Sequence, residues 1–328
     1  MKHSIRALSV ALLALIVVIP ASAPATHATE RQIALGVSVA VADSQSLAAV
    51  DSYTSNVGRT PAIWTVWSDW GYGNKDFPTS FFNGLRSRGI VPMVNWQPIG
   101  EGDCERWALD NIINGDYDDY IRQWATAARD YGGRVIVRFA HEMNGYWFIW
   151  GFSRCDNTPA KFKAAWRHVW NIFRGPSGVG ATNVQFLWSI YGAFKLRKHY
   201  PGDSFVDYVG LTAFNWGPTG NNPQPWTSMK ANFRTAMRAL SYLTTKPVIA
   251  AEMGAANVPE CSYCDKPAWI TNGYPAVYAK WPRLVAMVYF DLDMRWTQQP
   301  DWRLISPPGA LTAYQAIVAQ TKFQGTIP

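Results

Sequence analysis

The feature that most constrains this chain is a rhythm of short apolar runs bounded by turn residues. They occur at IALGVSV (33–39), PAIWTVW (61–67), IVPMVNW (90–96), RVIVRFA (134–140), VQFLWSI (184–190), DYVGLTAF (207–214), PVIAAE (247–252) and RLVAMVYF (283–290). Between most of them lies an amphipathic stretch of helical length. Each run is continuously apolar instead of alternating, as a strand covered on both faces must be. Eight such strands interleaved with helices predict an α/β protein built as a single (β/α)8 TIM barrel. A doubly wound open sheet shares the alternation, but it usually places a glycine-rich turn after its first strand. Here that turn reads VAVADSQSLAAV, with neither a GxGxxG nor a Walker pattern, so nucleotide binding loses its main support.

Helix signals fit the same plan. In DNTPAKFKAAWRHVWNIFRG, Thr158 is an N-cap with Pro159 at the first helical position, and Phe162, Trp166, Val169, Trp170 and Phe173 share one face. That stripe is core. Phe233, Met237 and Leu240 form a second stripe, and GALTAYQAIVAQTKF reads as the helix that closes the barrel, ending near residue 321. No linker, low-complexity tract or added module interrupts the pattern, so residues 29–328 are expected to be one barrel domain.

Residues 1–28 are set apart from the fold. Lys2 and Arg6 precede an apolar run from Ala7 to Ile19, and small residues follow at Ala21-Ser22-Ala23 and Thr26-His27-Ala28, which reads as a cleavable secretory signal. The run is too short to span a bilayer stably, so a secreted monomer with no stable membrane association after cleavage is expected. Of the formal charge of +7, Lys2 and Arg6 contribute two, leaving +5 with no basic cluster to suggest nucleic acid as a partner. Export makes the four cysteines disulfide candidates. Three pairings are possible, and Cys104 with Cys155 and Cys261 with Cys264 is the favoured one. A zinc or redox reading of CSYC lacks flanking histidines and a cytosolic setting, and no metal or cofactor is expected.

In a barrel of this kind the reacting groups stand at the C-terminal ends of the strands. Strand three ends at Trp96-Gln97, strand four at His141-Glu142, strand six at Asn215-Trp216, strand seven at Glu252 and strand eight at Asp291. Two carboxyl groups thus reach one rim from strands four and seven, the pairing that cleavage of a glycosidic bond needs. One must hold a proton near neutrality while the other is ionised. Glu142 precedes MNGYWFIW, whose rings can desolvate it, and is expected to be the acid/base. Glu252 lies in VIAAEMGA, where small neighbours leave room for a sugar ring, and is expected to be the nucleophile. Either glutamate alone reads equally well as a salt-bridged core residue; the pair at two strand ends is harder to dismiss.

The 17 Trp and 15 Tyr exceed what packing usually needs, so some rings are expected to stack on a saccharide. Trp96, Trp150, Trp216 and Trp296 are the candidates. Asn144, Gln97 and Asn215 are candidates for bonding sugar hydroxyls. Arg138 either orients the nucleophile or forms a buried ion pair. His168 and His199 fall in or near helices and read as surface or packing residues.

The same segments resemble a known family. RFAHEMNGYWFIWG, YPGDSFVDYVGLTAFNWG and VIAAEMGA are similar to glycoside hydrolase family 26, retaining β-glycanases that include β-mannanases and mixed-linkage β-glucanases. The likeness runs on through FDLDMRWTQQPDWRLI, almost the whole mature chain. It implies the roles already given to Glu142 and Glu252, with His141 as the histidine beside the acid and Trp147 as the aromatic platform near the cleaved bond. One position departs. The family usually carries a tyrosine at the end of strand six whose hydroxyl can bond the nucleophile, and this chain has Phe214, which leaves Asn215 or Tyr191 as substitutes. Phe290-Asp291 also stand where many mannanases carry a tryptophan.

The expected function is a secreted, retaining endo-β-glycanase that cuts β-1,4-mannan by double displacement, its polysaccharide substrate the only partner. A mixed-linkage β-1,3/1,4-glucan, or an exopolysaccharide of the producing cell, is the alternative substrate. A barrel that binds carbohydrate without turnover is the reading from a different class, kept open by Phe214. A metal-dependent deacetylase would need clustered His/Asp ligands, which the strand ends do not supply.

Overall fold

All eight apolar runs form parallel strands, and the strands close on one another in chain order. The computed structural model describes residues 30–219 and 222–328; the signal expected at 1–28 lies outside the described residues. The strands are β1 (Ala34–Ser38), β2 (Ile63–Asp69), β3 (Val91–Gln97), β4 (Val135–Phe139), β5 (Val184–Tyr191), β6 (Tyr208–Asn215), β7 (Val248–Ala255) and β8 (Leu284–Phe290). Around them run α1 (Leu47–Val57), α2 (Thr79–Ser87), the short α3 (Cys104–Trp107) and α4 (Leu109–Asn114), then α5 (Asp118–Tyr131) and α6 (Pro159–Arg174). After these come α7 (Leu196–His199), α8 (Met229–Ser241), α9 (Lys266–Lys280) and α10 (Ala310–Val318). None of the helices among the described residues is long and apolar enough to cross a membrane.

The capping logic holds. Thr158 Oγ1 accepts from Lys161 N at 3.2 Å, Pro159 opens α6, and Phe162, Trp166, Val169 and Phe173 are buried on its inner face. The closing helix is shorter than expected, since α10 ends at Val318 and a 3₁₀ turn at Thr321–Phe323 completes the stretch.

Strand side chains alternate between the helical layer and the barrel interior. Low in the barrel the interior is apolar, filled by Ala34, Ile63, Met93, Ile136, Leu187, Ile249, Ala286 and Val288. Residues 327 and 328 cover that floor: Ile327 packs into the cluster, and Tyr208 Oη donates to Pro328 O at 2.5 Å. Two residues further along the same strand faces the interior turns polar, with Thr65, Asn95, Arg138 and Ser189 fully buried. This change of chemistry inside the barrel fixes where the site stands.

Both expected disulfides are present, Cys104–Cys155 and Cys261–Cys264. The first ties α3 to the loop that follows β4, the second closes a turn in the loop before α9.

Candidate active site

Glu142 is not at the end of a strand, as the sequence suggested. β4 stops at Phe139, and Ala140 and Glu142 both take left-handed backbone conformations, with φ of 41° and 54°. Such angles are uncommon for residues with a Cβ, so the turn is held by its surroundings. Glu142 N donates to Ser189 O at 2.9 Å, Gly145 N to Glu142 O at 2.8 Å, and Trp150 Nε1 to His141 O at 2.7 Å. Gly145 lets the loop fold back over itself, because a Cβ there would lie 2.4 Å from the Trp147 ring. The fold-back brings Trp147 Nε1 to 2.9 Å from Glu142 Oε2, with the ring 43% exposed.

Glu252 reaches the interior by a different device. Ile249 and Ala251 both face the inner cluster, so strict alternation would send Glu252 outward against the helices. The β6–β7 register instead passes from Leu211 opposite Ala250 to Thr212 opposite Glu252, leaving Ala251 as an extra residue. This bulge turns Ala251 and Glu252 inward together and returns Met253 to the outer core, where it meets Tyr274.

The two carboxyl groups meet at one guanidinium. Arg138 is fully buried; its Nη1 donates to Glu252 Oε1 at 2.5 Å and to Asn95 Oδ1 at 3.1 Å. Asn95 Nδ2 donates to the same Glu252 oxygen at 3.3 Å. On the other side, Arg138 Nη2 donates to Thr212 Oγ1 at 3.3 Å and stands 3.8 Å from Glu142 Oε1, to which the Thr212 hydroxyl donates. One guanidinium thus stands between the two carboxyl groups, 2.5 Å from Glu252 Oε1 and 3.8 Å from Glu142 Oε1. Burial, and then the charge of Glu252, push Glu142 up to about 7, against Arg138 and the hydrogen bonds from Thr212 and Trp147. His141 is buried beside Phe148 and Trp150, and burial together with Arg138 pulls it well below the usual histidine range, so its ring is neutral. The arrangement therefore holds a carboxyl that keeps a proton near neutrality beside a carboxyl paired with a cation.

The profile of Glycosyl hydrolase family 26 matches residues 107–257, the segment that carries Arg138, Glu142, Thr212 and Glu252. The chain belongs to glycosyl hydrolase family 26. Among its relatives is endoglucanase H of Acetivibrio thermocellus, 30% identical over 289 residues that make up 85% of this chain and 30% of that protein. Another is the mannan endo-1,4-beta-mannosidase A and B of Caldalkalibacillus mannanilyticus, 33% identical over 151 residues, 42% of this chain and 27% of that one. The chain thus spans less than a third of either curated relative. The catalytic domain of a family 26 endo-beta-1,4-mannanase from Bacillus sp. JAMB-750 superposes with a TM-score of 0.66 at 18% identity, covering 89% of this chain and 87% of that one, a likeness of fold.

Several expected contacts in this family 26 barrel are corrected by their surroundings. Trp96 faces outward, fully buried among Trp70, Trp124, Phe139 and Phe173, with Nε1 bonded to Tyr120 Oη at 3.1 Å; it is core and not a stacking ring. Trp150 is buried as well, stacked on Phe148 at 4.4 Å, and its N–H fastens the His141 carbonyl. Trp216 is partly buried and packs edge-on against Trp302 at 5.1 Å. Asn144 is spent on the β5 loop: its Nδ2 donates to Tyr191 O at 2.7 Å and Phe194 O at 3.1 Å, and its Oδ1 accepts from Tyr191 N. Asn215 is bonded at both ends of its amide to the backbone of Thr227, so it does not stand in for the missing tyrosine hydroxyl. Tyr191 instead lies edge-on to Trp147 at 4.8 Å. Glu252 is oriented from β3 and β4, by Asn95 and Arg138.

Gln97 lies at the rim with Nε2 2.6 Å from Asp69 Oδ1, and Trp296 is exposed on the loop after β8. His168 bonds Asp118 and His199 packs against Phe152 and Phe162, both away from the carboxyl pair. Sequence reasoning passed over Asn95 and Thr212. The signal was present, since each is a polar residue on the inward register within the apolar body of its strand.

Proposed function

We propose that this chain is a secreted, monomeric, retaining endo-β-glycanase, with residues 1–28 its cleaved signal and residues 29–328 its catalytic barrel. The observation that carries the reading is the pairing itself: a carboxyl raised to about 7 and a second bonded to Arg138, joined through one guanidinium at the C-terminal end of a barrel. In this reading Glu142 protonates the leaving oxygen while Glu252 attacks the anomeric carbon; Glu142 then takes a proton from a water whose oxygen bonds that carbon as the bond to Glu252 breaks. Trp147, half exposed and bonded to the acid, supplies the ring on which the sugar next to the cleaved bond rests. The exposed rings of Tyr72, Tyr146, Phe194, Tyr263 and Trp296 stand on the loops that follow the strands, which suits a polymer held over several residues.

A β-glucan is the first substrate to test, because the endoglucanase relative matches along 85% of this chain whereas the mannanase relative matches along 42%. β-1,4-Mannan, expected from the sequence, is the second. The test incubates the purified protein with β-glucan and with mannan and follows new reducing ends, beside Glu142→Gln and Glu252→Gln. Mid-chain products from the wild type and none from either variant support the reading. Undiminished cleavage by both variants ends it, and saturable binding of glycan without any product would favour a non-catalytic barrel.

A further inference from the structure

Thr212 stands on β6 with its hydroxyl touching both halves of the site, 3.3 Å from Arg138 Nη2 on one side and bonded to Glu142 Oε1 on the other. A guanidinium has only donors, so Arg138 occupies a lone pair of Thr212 Oγ1. The single hydroxyl hydrogen is then left for Glu142 Oε1, and that oxygen is held as an acceptor. The other oxygen, Oε2, faces the Trp147 indole at 2.9 Å on the exposed side of the turn. It can accept from the indole and still carry a proton, because a carboxyl oxygen has two lone-pair directions.

We propose that Thr212 is a positioning residue: directed by Arg138, its hydroxyl keeps the proton of Glu142 on Oε2, the oxygen turned toward the leaving group, and steadies the carboxylate once that proton has gone. The inference rests on the reading of Glu142 as the acid. In the step it serves, the proton passes from Oε2 to the glycosidic oxygen as the bond from that oxygen to the anomeric carbon breaks. The bond's electron pair goes to the oxygen, and Glu252 forms the new bond to carbon. Thr212 keeps its own hydrogen throughout, which separates a positioning role from a proton relay.

The charged and titratable groups around Glu142 are Arg138 on β4, Glu252 on β7, Tyr191 on β5 and His141 in the same turn. The buried His141 is neutral. Loss of the Thr212 hydroxyl removes a donor to Glu142 itself, whose proton is also linked to the charge of Glu252.

The test is a titration that needs no turnover. Carboxyl-labelled glutamate followed by carbon-13 NMR reads the ionisation of Glu142, assigned by its loss in Glu142→Gln, in the wild type, Thr212→Val and Thr212→Ser. The isosteric Thr212→Val should raise the Glu142 midpoint by about one pH unit, since a donor to the carboxylate is lost, and Thr212→Ser should restore it. If Thr212→Val does not fold, Thr212→Ala is read in the same way. On glycans, the valine variant should lose roughly tenfold in kcat and move its alkaline limb upward, yet cleave an aryl glycoside with an activated leaving group nearly as fast as the wild type. An unmoved midpoint, a serine variant as displaced as the valine variant, or an equal loss on activated and unactivated substrates would overturn the proposal. Absence of any glycan cleavage by the wild type would instead overturn the enzymatic reading, while the titration still decides what Thr212 does to Glu142.

Discussion

Buried charge is handled in two opposite ways beyond the ends of these strands. At the β8 side, Lys266 is wholly buried and its ammonium donates to three main-chain carbonyls, Trp302 O at 2.9 Å, Arg303 O at 2.8 Å and Ser306 O at 2.7 Å. Beside it Asp291 accepts from Leu304 N at 2.6 Å, and Asp301 is clasped by Arg303. Every proton of Lys266 has a fixed acceptor. Around Arg138 the charged and titratable groups are bonded less fully: among the described residues Arg138 Nε and His141 Nδ1 are buried without a partner, and Glu142 is pushed up to about 7. Burial pulls Lys266 down to about 7 as well, so the two regions differ in how fully the buried charge is bonded and not in where it titrates.

The comparison is broken most severely at the carboxyl pair. Glu142→Gln and Glu252→Gln should each lower kcat on a β-glycan by at least about 10³-fold, measured by reducing-end release, with the fold kept as judged by circular dichroism. Next comes Arg138→Met, which leaves Glu252 buried without its cation. It should cost about 3–5 kcal/mol of stability in denaturant melts as well as activity, so that this one residue counts on both sides of the comparison. Lys266→Met strips three carbonyls of their donor and should lower Tm by on the order of 5–10 °C. Its kcat per folded molecule and its pH profile should stay as in the wild type, whereas a changed profile would make the loop part of the site.

The smallest effect concerns pH and sharpens the contrast. Glu142 is raised in the folded protein, so between the ordinary glutamate value and about 7 the native state holds a proton that the unfolded chain has already lost. Stability contributed by this group is present in acid and is lost as pH rises through that window. Glu142→Gln should therefore melt a few degrees above the wild type at pH 8 and converge with it near pH 4.5, as read by calorimetry. Activity should fall on the alkaline side of about 7 as the acid loses its proton.

The barrel was legible because strands covered on both faces leave continuous apolar runs, a pattern that local chemistry dictates. The candidate site was legible in its acids and in Arg138, but not in Asn95 and Thr212, which also bond them. The inward aim of Glu252 depends on the bulge at Ala251, and no residue in VIAAEMGA announces an extra position in the ladder. The left-handed turn at Ala140 and Glu142 was hidden too, because neither residue is one that favours such angles. Trp96 was misplaced through neglect of a period of two: once Asn95 faces the barrel interior, its neighbour must face the helices. Asn144 and Asn215 looked like sugar contacts because a sequence does not show that a loop backbone will use both ends of an amide.

In the proposed reaction Glu252 attacks the anomeric carbon while Glu142 supplies the proton. The most direct measurement is the intact mass and peptide map of the protein after incubation with a 2-deoxy-2-fluoro β-glycoside that carries an activated leaving group, chosen so that the first step outruns the second. One fluoroglycosyl unit should be added per chain, located on the peptide containing Glu252 and absent in Glu252→Gln. Turnover of glycan with no adduct at any time, or an adduct on another residue, would contradict it.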